Sequence, residues 1–328
     1  MESFVSGRAF VLAAGLIASV LGAALPAAAQ KYPAQLVRVI VPTSPGGAVD
    51  AFGRGIGRTL QQSLGATVVV DNRPGANGAI GAEMVAKASP DGSMLLVIWG
   101  GHVINPLISK GVPFDPIKDF TPIIRIGNIP LILVVHPSIP ATSVKGLVAL
   151  AREKPGMLTF ASGGVGSGGH LSGELLKYMS KTDMLHIAYK GNSVALADVL
   201  GGHVSLMFDT ITTGLPHTQT GKLRLLAVTS AERSPLAPST PTMSEAGFLG
   251  YETDAWYALL APAHMPAPLV ERLNGVINKA FNDPGFRDQF VTQGVRFVGG
   301  SPEQLEAHMR AEAKRWTVVL AAAGMQRQ

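Results

Sequence analysis

Along the chain, short runs of β-branched and aliphatic residues alternate with stretches whose apolar positions recur every three or four residues. The first run, Leu36-Val37-Arg38-Val39-Ile40-Val41, reads as a strand and ends in the turn cluster 42–47. Phe52, Ile56, Leu60 and Leu64 then mark one face of a helix predicted over 50–64. A strand over 66–70, a helix over 78–88, a strand over 94–99 and a loop at 100–102 follow. This β-α-β-α-β order predicts parallel strands covered by helices. After Pro130 a second series begins, with strands over 131–135, 158–162, 185–189 and 204–208 separated by helices over 144–153, 170–179 and 193–200. Strands over 223–229 and 256–260 and helices over 268–282 and 302–323 complete the pattern. The last helices lie far from the first unit in sequence and are expected to pack back on it, which splits that unit around an inserted one.

Ahead of this pattern, Arg8 precedes an apolar run over 10–21, and Pro26-Ala27-Ala28-Ala29 follows it. That is the order of a secretory leader with cleavage after Ala29. No later stretch approaches about 20 uninterrupted apolar residues, so the mature chain is expected to be soluble outside the cytoplasm. Hydrophobic residues make up 47% and charged residues 15% of the 328, which supports a large core and argues against disorder. The formal charge of +5 comes without a basic run, and nucleic-acid binding is therefore not expected. With no cysteine, disulfide scaffolds, thiolate metal sites and cysteine nucleophiles are excluded. The eight histidines show neither H-x-H nor H-E-x-x-H, so no metal site is read.

Three turns between a strand and a helix carry the candidate chemistry. The first is Pro42-Thr43-Ser44-Pro45-Gly46-Gly47-Ala48-Val49-Asp50. Main-chain N–H groups converge at such a turn, and the helix dipole favours an anion there. Its glycines admit a ligand to the main chain, and Asp50 is expected to cap the helix through an amide two or three residues on. A tight turn with an ordinary N-cap fits the same residues. The second turn, 162–170, packs five glycines, two serines and a histidine ahead of a helix. Gly164-Val165-Gly166-Ser167-Gly168-Gly169 matches G-x-G-x-x-G, but the next strand ends in Tyr189-Lys190 and lacks the acidic residue of a dinucleotide site. The nucleophile elbow G-x-S-x-G fails because position 165 is Val. An anion-binding turn at a helix start remains, with His170 as a hydrogen-bonding group there. The third turn, Tyr189-Lys190-Gly191-Asn192-Ser193, offers polar groups to a small ligand, although Lys190 fits a solvated charge equally well. Trp99 and Trp256 suit core and cleft alike, and Arg54 and Arg58 read as a solvated helix face.

With these residues in view, the chain resembles the Bug family, the substrate-binding proteins of the tripartite tricarboxylate transporter system. The most specific stretch is Asp71-Asn72-Arg73-Pro74-Gly75-Ala76-Asn77-Gly78-Ala79-Ile80-Gly81-Ala82-Glu83, continuing to Ala88-Ser89-Pro90-Asp91-Gly92. Asn105-Pro106, Phe114-Asp115-Pro116-Ile117-Lys118-Asp119-Phe120-Thr121-Pro122, Ala188-Tyr189-Lys190-Gly191, Val199-Leu200-Gly201-Gly202 and the late Trp256 with Ala261-Pro262 also match. These occur in order from about Tyr32 to the C-terminus.

The resemblance implies an α/β fold, a two-lobed periplasmic binding protein of the type II-like Venus flytrap kind, each lobe a mainly parallel sheet flanked by helices. It implies a signal peptide over 1–29, a discontinuous first lobe over 30–132 and 254–328, and an inserted second lobe over 133–253. The expected function is non-catalytic, without cofactor or metal: a monomeric periplasmic receptor that binds a small organic carboxylate between the lobes. Its ligand would pass to the permease subunits of a tripartite tricarboxylate-type transporter. Thr43, Ser44, Pro45, Gly46 and Gly47 with Asp50 would form one pincer on the carboxylate, and Ser162, Gly164, Gly166, Ser167 and His170 the other. Tyr189, Lys190, Gly191, Asn192 and Asp209 would line the inserted lobe's wall, and Trp99 and His102 the end of the third strand. The competing reading is an exported serine hydrolase using Ser167 and His170. It suffers from a nucleophile and base three residues apart with no orienting third group. Closure is expected at crossings near 131–135 and 254–260, and Gly47 is expected to need both its missing side chain and a positive φ. Thr43 stands where the family often has an aromatic residue and Trp99 where it often has a small polar one. This favours a monocarboxylate or dicarboxylate with an apolar or aromatic body over citrate.

Overall fold

The computed structural model describes residues 36–291, 293–325 and 327; the leader read over 1–29 lies outside the described residues. Two sheets organise the chain. The first contains β1 (Leu36–Val41), β2 (Thr67–Asn72), β3 (Met94–Trp99), β4 (Phe120–Ile129), β10 (Ala255–Pro262) and β11 (Arg296–Gly299), in the order β11-β4-β10-β3-β1-β2. The second contains β5 (Leu131–Val135), β6 (Thr159–Ser162), β7 (Leu185–Ala188), β8 (Leu206–Thr210) and β9 (Arg224–Val228), in the order β7-β6-β8-β5-β9. Helices α1 (Ala48–Leu64), α2 (Ala79–Ala86) and α3 (Gly101–Ile108) belong to the first unit, and α4 (Val144–Glu153), α5 (Gly168–Ser180), α6 (Asn192–Leu200) and α7 (Ile211–Gln219) to the second. The chain closes with α8 (Ala267–Ala280), α9 (Pro284–Val291) and α10 (Pro302–Ala322).

Each sheet is mixed, not mainly parallel. β1 runs parallel to β2 and β3, and β6 parallel to β7 and β8, as the β-α-β units require. β10 is antiparallel to β3 and β4, and β5 antiparallel to β8 and β9. Both are the strands that take the chain into or out of a lobe, so each enters its sheet against the direction of its neighbours. Strand β4 escapes the sequence pattern because Pro122, Gly127 and Asn128 interrupt it. Its pairing with β10 slips at Leu259/Leu260 beside Pro122, the kind of irregularity at which a strand accommodates proline. Helix α7 is equally hidden, since Thr212, Thr213, Gly214 and Pro216 all favour other conformations.

In α1 the expected face is the buried one: Phe52, Ile56 and Leu60 are fully enclosed against Val39, Val97 and Leu259. Each such side chain stabilises the lobe by about 1.5–3 kcal/mol. The lobes meet at two crossings, Pro130 and the stretch 229–254. Thr229 clasps both, since its Oγ1 accepts the Leu131 N–H at 3.0 Å and donates to the Thr253 carbonyl at 2.9 Å. The crossings therefore precede β10 and lie before β5, and Leu131 and Ile132 pair within the second sheet, not the first. Helix α10 is shared. Leu305 and Met309 pack with Ile40, Leu96 and Trp256 of the first lobe, while Trp316, Val319 and Leu320 join Leu131, Leu175 and Tyr251 in the core of the second.

Candidate functional site

The turn after β1 carries four exposed residues, Ser44, Pro45, Gly46 and Gly47, the last of which is the N-cap of α1. Asp50 does not cap forward as expected. It is the third residue of the helix and reaches back, its Oδ2 accepting the Gly46 N–H at 3.0 Å. The same oxygen takes the Arg54 Nε–H at 2.9 Å, and Oδ1 accepts from Asn72 Nδ2 at 3.0 Å. Burial alone would raise the Asp50 carboxyl, but Arg54, the Gly46 amide and Asn72 outweigh it and hold it below its ordinary value. Asn72 also donates to the Thr43 carbonyl at 3.1 Å, so one carboxylate and one amide set the whole turn. Gly46 has φ +94 and needs the freedom of glycine. Gly47 does not: its φ is −87, and a Cβ there would meet nothing within 4 Å. The N–H groups of Gly47 and Ala48 have no partner among the described residues and lie at the positive end of α1.

The turn after β6 is built from the second sheet. Ser167 is the N-cap of α5 and accepts the His170 N–H at 3.4 Å. His170 is buried, and its Nδ1 accepts the Gly166 N–H at 3.0 Å. Ser162, also buried, donates to the Gly164 carbonyl at 3.1 Å and accepts the Gly164 N–H at 3.2 Å. The N–H groups of the exposed Val165 and Gly168 have no partner among the described residues. No hydrogen bond joins Ser167 Oγ to the His170 ring, whose Nδ1 is occupied by Gly166. Burial and the neighbouring His186 and Lys177 push that imidazole down to about 3. The pairing a serine hydrolase needs is not formed.

The third turn abuts the second: Gly163 leaves no room for a Cβ beside Asn192, and Tyr189 N–H donates to the Ser162 carbonyl at 2.9 Å. The two lobes approach at this point. A Cβ on Gly166 would fall 2.5 Å from Ile108 Cδ1 and 3.6 Å from Asn77 Nδ2, both in the first lobe. Trp99 is half-buried and packs over Gly78 and Gly101, and it lines a small cavity with Gly78 and with Pro42 at the root of the first turn. Between the lobes lies a cavity of about 50 Å³ that Trp99, Gly101, Gly166, Asp254 and Trp316 help to line. That volume suits one or two water molecules. A larger surface recess, beside Arg58, Lys279 and Gln289, touches none of these turns.

Strand–helix turns are the usual place for a ligand in open α/β sheets, and here the turn after β6 lies against Ile108 and Asn77 of the first lobe. Residues 53–325 match the family described as "Tripartite tricarboxylate transporter family receptor". The chain belongs to that family. This receptor is 37% identical to the UPF0065 protein in the tcbD-tcbE intergenic region of Pseudomonas sp. (strain P51), over 94% of its own length and 93% of that protein's. It is 34% identical to BugT of Bordetella pertussis, over 94% and 96% of the two chains. Among solved structures it is similar to R. palustris Rpa4515 with adipate (36% identity, TM-score 0.78, covering 90% of this chain and 100% of that one). It is also similar to MatC from Rhodopseudomonas palustris with bound malate (30% identity, TM-score 0.74, covering 88% and 100%). The periplasmic binding protein BugD is 32% identical, with a TM-score of 0.74, over 90% and 100%.

His102 and Asp209, also expected at the site, are buried polar residues. His102 is a core residue: Phe114 and Phe120 enclose its ring, Nε2 lies 3.0 Å from the Pro116 carbonyl, and burial pushes it down to about 4. Its place after a strand suggested the cleft, but the loop is the first turn of α3 and turns the side chain inward. Asp209 is fully buried, and its oxygens accept from Asn192 Nδ2, the Thr210 N–H and Thr213 Oγ1. Burial raises its carboxyl even so, and it anchors the third turn from below. Tyr189 donates its hydroxyl to Asp198, which pushes the phenol up to about 12. Lys190 is exposed, without an ion pair among the described residues. Arg54 is paired with Asp50.

Sequence reasoning missed a polar cluster beside the crossings. Glu312 of α10 accepts both indole N–H groups, from Trp256 at 3.2 Å and Trp316 at 3.1 Å, and pairs with Arg315 at 2.7 Å. Asn128 at the end of β4 donates to Asp254 just before β10, at 3.0 Å. Burial pushes the Asp254 carboxyl up to about 6. The i, i+3, i+4 spacing of Glu312, Arg315 and Trp316 was readable on a helix, but their partners are remote in sequence.

Proposed function

We propose that the protein is an extracytoplasmic receptor that holds a small organic carboxylate between the Thr43–Gly47 and Gly163–Ser167 turns and passes it to a tripartite tricarboxylate-type permease. The observation that carries this reading is the pair of glycine turns on opposite lobes, each offering unpartnered N–H groups at the start of a long helix. Two such helix starts neutralise a carboxylate group without a salt bridge from a buried arginine. Ser44, Pro45, Tyr189, Gly191 and Asn192 would wall the same cleft. A leader peptide and a periplasmic address fit this role, as does a monomer with one cleft.

The ligand class follows from Trp99. Its half-buried ring gives the cleft an apolar face, and few cations stand near the turns. A monocarboxylate or dicarboxylate with an apolar body suits that surface better than citrate, each of whose charges would need compensation. The adipate and malate carried by the two similar R. palustris proteins are small dicarboxylates. Thermal-shift and calorimetric titrations with adipate, malate, benzoate and citrate test the reading. Stoichiometric stabilisation by at least one of the first three, without turnover, is expected. Response to citrate alone would overturn the ligand class, and silence across all four would overturn the receptor reading of the cleft.

A further inference from the structure

We propose that His170, backed by His186, is a positioning residue for ligand capture: it holds the inward side of the second pincer so that the outward N–H groups face the cleft. This rests on the carboxylate-receptor reading above. Gly166 is buried at φ +79, and its N–H is directed at the buried His170 of its own lobe. Left without an acceptor there, it would carry the cost of an unmade buried hydrogen bond. The imidazole Nδ1 meets it at 3.0 Å, which places the ring proton on Nε2.

His186 of β7 stacks on His170 with ring centroids 4.0 Å apart, and its Nε2 lies 2.7 Å from Ser162 Oγ. Because that hydroxyl already donates to the Gly164 carbonyl and accepts the Gly164 N–H, His186 is the donor to it. Phe160 closes the stack below His186 at 4.8 Å. His170 therefore holds the turn directly at Gly166, and His186 holds it at Gly164 through the Ser162 hydroxyl. Lobe 1 holds its turn in the same way: the third residue of α1, Asp50, reaches back to the glycine before the N-cap. The recurrence of this geometry on an unrelated stretch of chain ties it to the pincers and not to one local fold.

The test compares wild type with His170→Ala, His170→Asn and His186→Phe, using amide hydrogen exchange of the ligand-free protein and calorimetry with adipate, malate and benzoate. Exchange at Gly166 should rise by about tenfold or more in His170→Ala, and affinity for the binding probe should fall by a similar factor. His170→Asn, whose Oδ1 supplies an acceptor near the same place, should restore both to within about threefold. Should His170→Ala fail to fold, His170→Asn and His186→Phe carry the test, the latter accelerating exchange at Gly164. Unchanged exchange at Gly166 in His170→Ala, or at Gly164 in His186→Phe, would overturn the proposal. If wild type binds none of the probes, the receptor reading fails while the exchange measurement still decides whether His170 holds the turn.

Discussion

At the start of α1 the third residue, Asp50, takes the Gly46 N–H at 3.0 Å; at the start of α5 the third residue, His170, takes the Gly166 N–H, also at 3.0 Å. Both glycines precede the N-cap and both are left-handed, at φ +94 and +79. The supports differ in everything else. Asp50 is an anion shared with the half-exposed Arg54, whereas His170 is neutral and sealed behind His186 and Phe160. What the pincers have in common is an acceptor aimed backwards at the helix start; charge is incidental to it. The dipole at the start of α1 favours a negative group, which Arg54 shares, whereas the buried His170 ring has Glu174 Oε1 3.9 Å from its Nε2.

That comparison can be broken in three ways. The largest effect should come from Asp50→Ala, which releases Gly46, Asn72 and Arg54 together. Hydrogen bonds to a charged group are worth about 1.5–3 kcal/mol, so affinity for a carboxylate should fall by about tenfold to a hundredfold, while Asp50→Asn should retain most of it. Calorimetry decides; equal losses in both variants would show that the charge matters after all.

Acid should separate the pincers next. His170 and His186 titrate near 6.5 in an unfolded chain but only near 3 and 4 in the fold. The unfolded state therefore binds protons first, and stability is complete above about 6.5 and declines as pH falls toward 4. The Asp50 carboxyl is depressed, so its contribution persists until pH drops through its ordinary value and below. His102 and His308 add to the acid limb with the same sign, and Asp254, raised to about 6, opposes it. The pincer's share is the difference between wild type and His186→Phe in urea titrations from pH 4.5 to 7.5. His186→Phe should flatten the slope by at most about 1.4 kcal/mol per pH unit. An identical slope would remove His186 from the acid limb.

The smallest effect is expected from Arg54→Ala. The guanidinium is 49% exposed, and solvent screens such a pair, so binding should weaken less than about tenfold. Most of that loss should vanish at high salt. A larger loss, insensitive to salt, would mean that Arg54 touches the ligand.

The elements and their order were legible where periodicity was clean: 36–41, the apolar face of α1, and the alternation from 131 to 208 form close to the positions read. Strand β4 and helix α7 were not, because prolines and glycines there are tolerated by tertiary pairing that no local window contains. The glycine turns were legible as anion-binding helix starts, but the direction of Asp50 was not. A carboxylate three residues into a helix can cap forward or reach back, and only the conformation of Gly46 decides. His186 was hidden for a related reason. It is one polar residue in a four-residue strand, and its meaning comes from His170 and Ser162, which lie in other elements.

Strand β10 has a further consequence, for the order in which the chain folds. It sits between β3 and β4, yet the whole second sheet separates it from β4 in sequence. The second sheet is local, with every strand between Leu131 and Val228, and can pair from residues already adjacent. The first has no centre until residues 255–262 arrive, and pairings so distant are slow to find. Once the inserted lobe is formed, the Thr229 clasp brings Leu131 and Thr253 together and replaces a search over more than a hundred residues with a short one. The inserted lobe thus acts as a template that delivers β10 to its slot, and α10 then locks the two cores with the last turns of the chain.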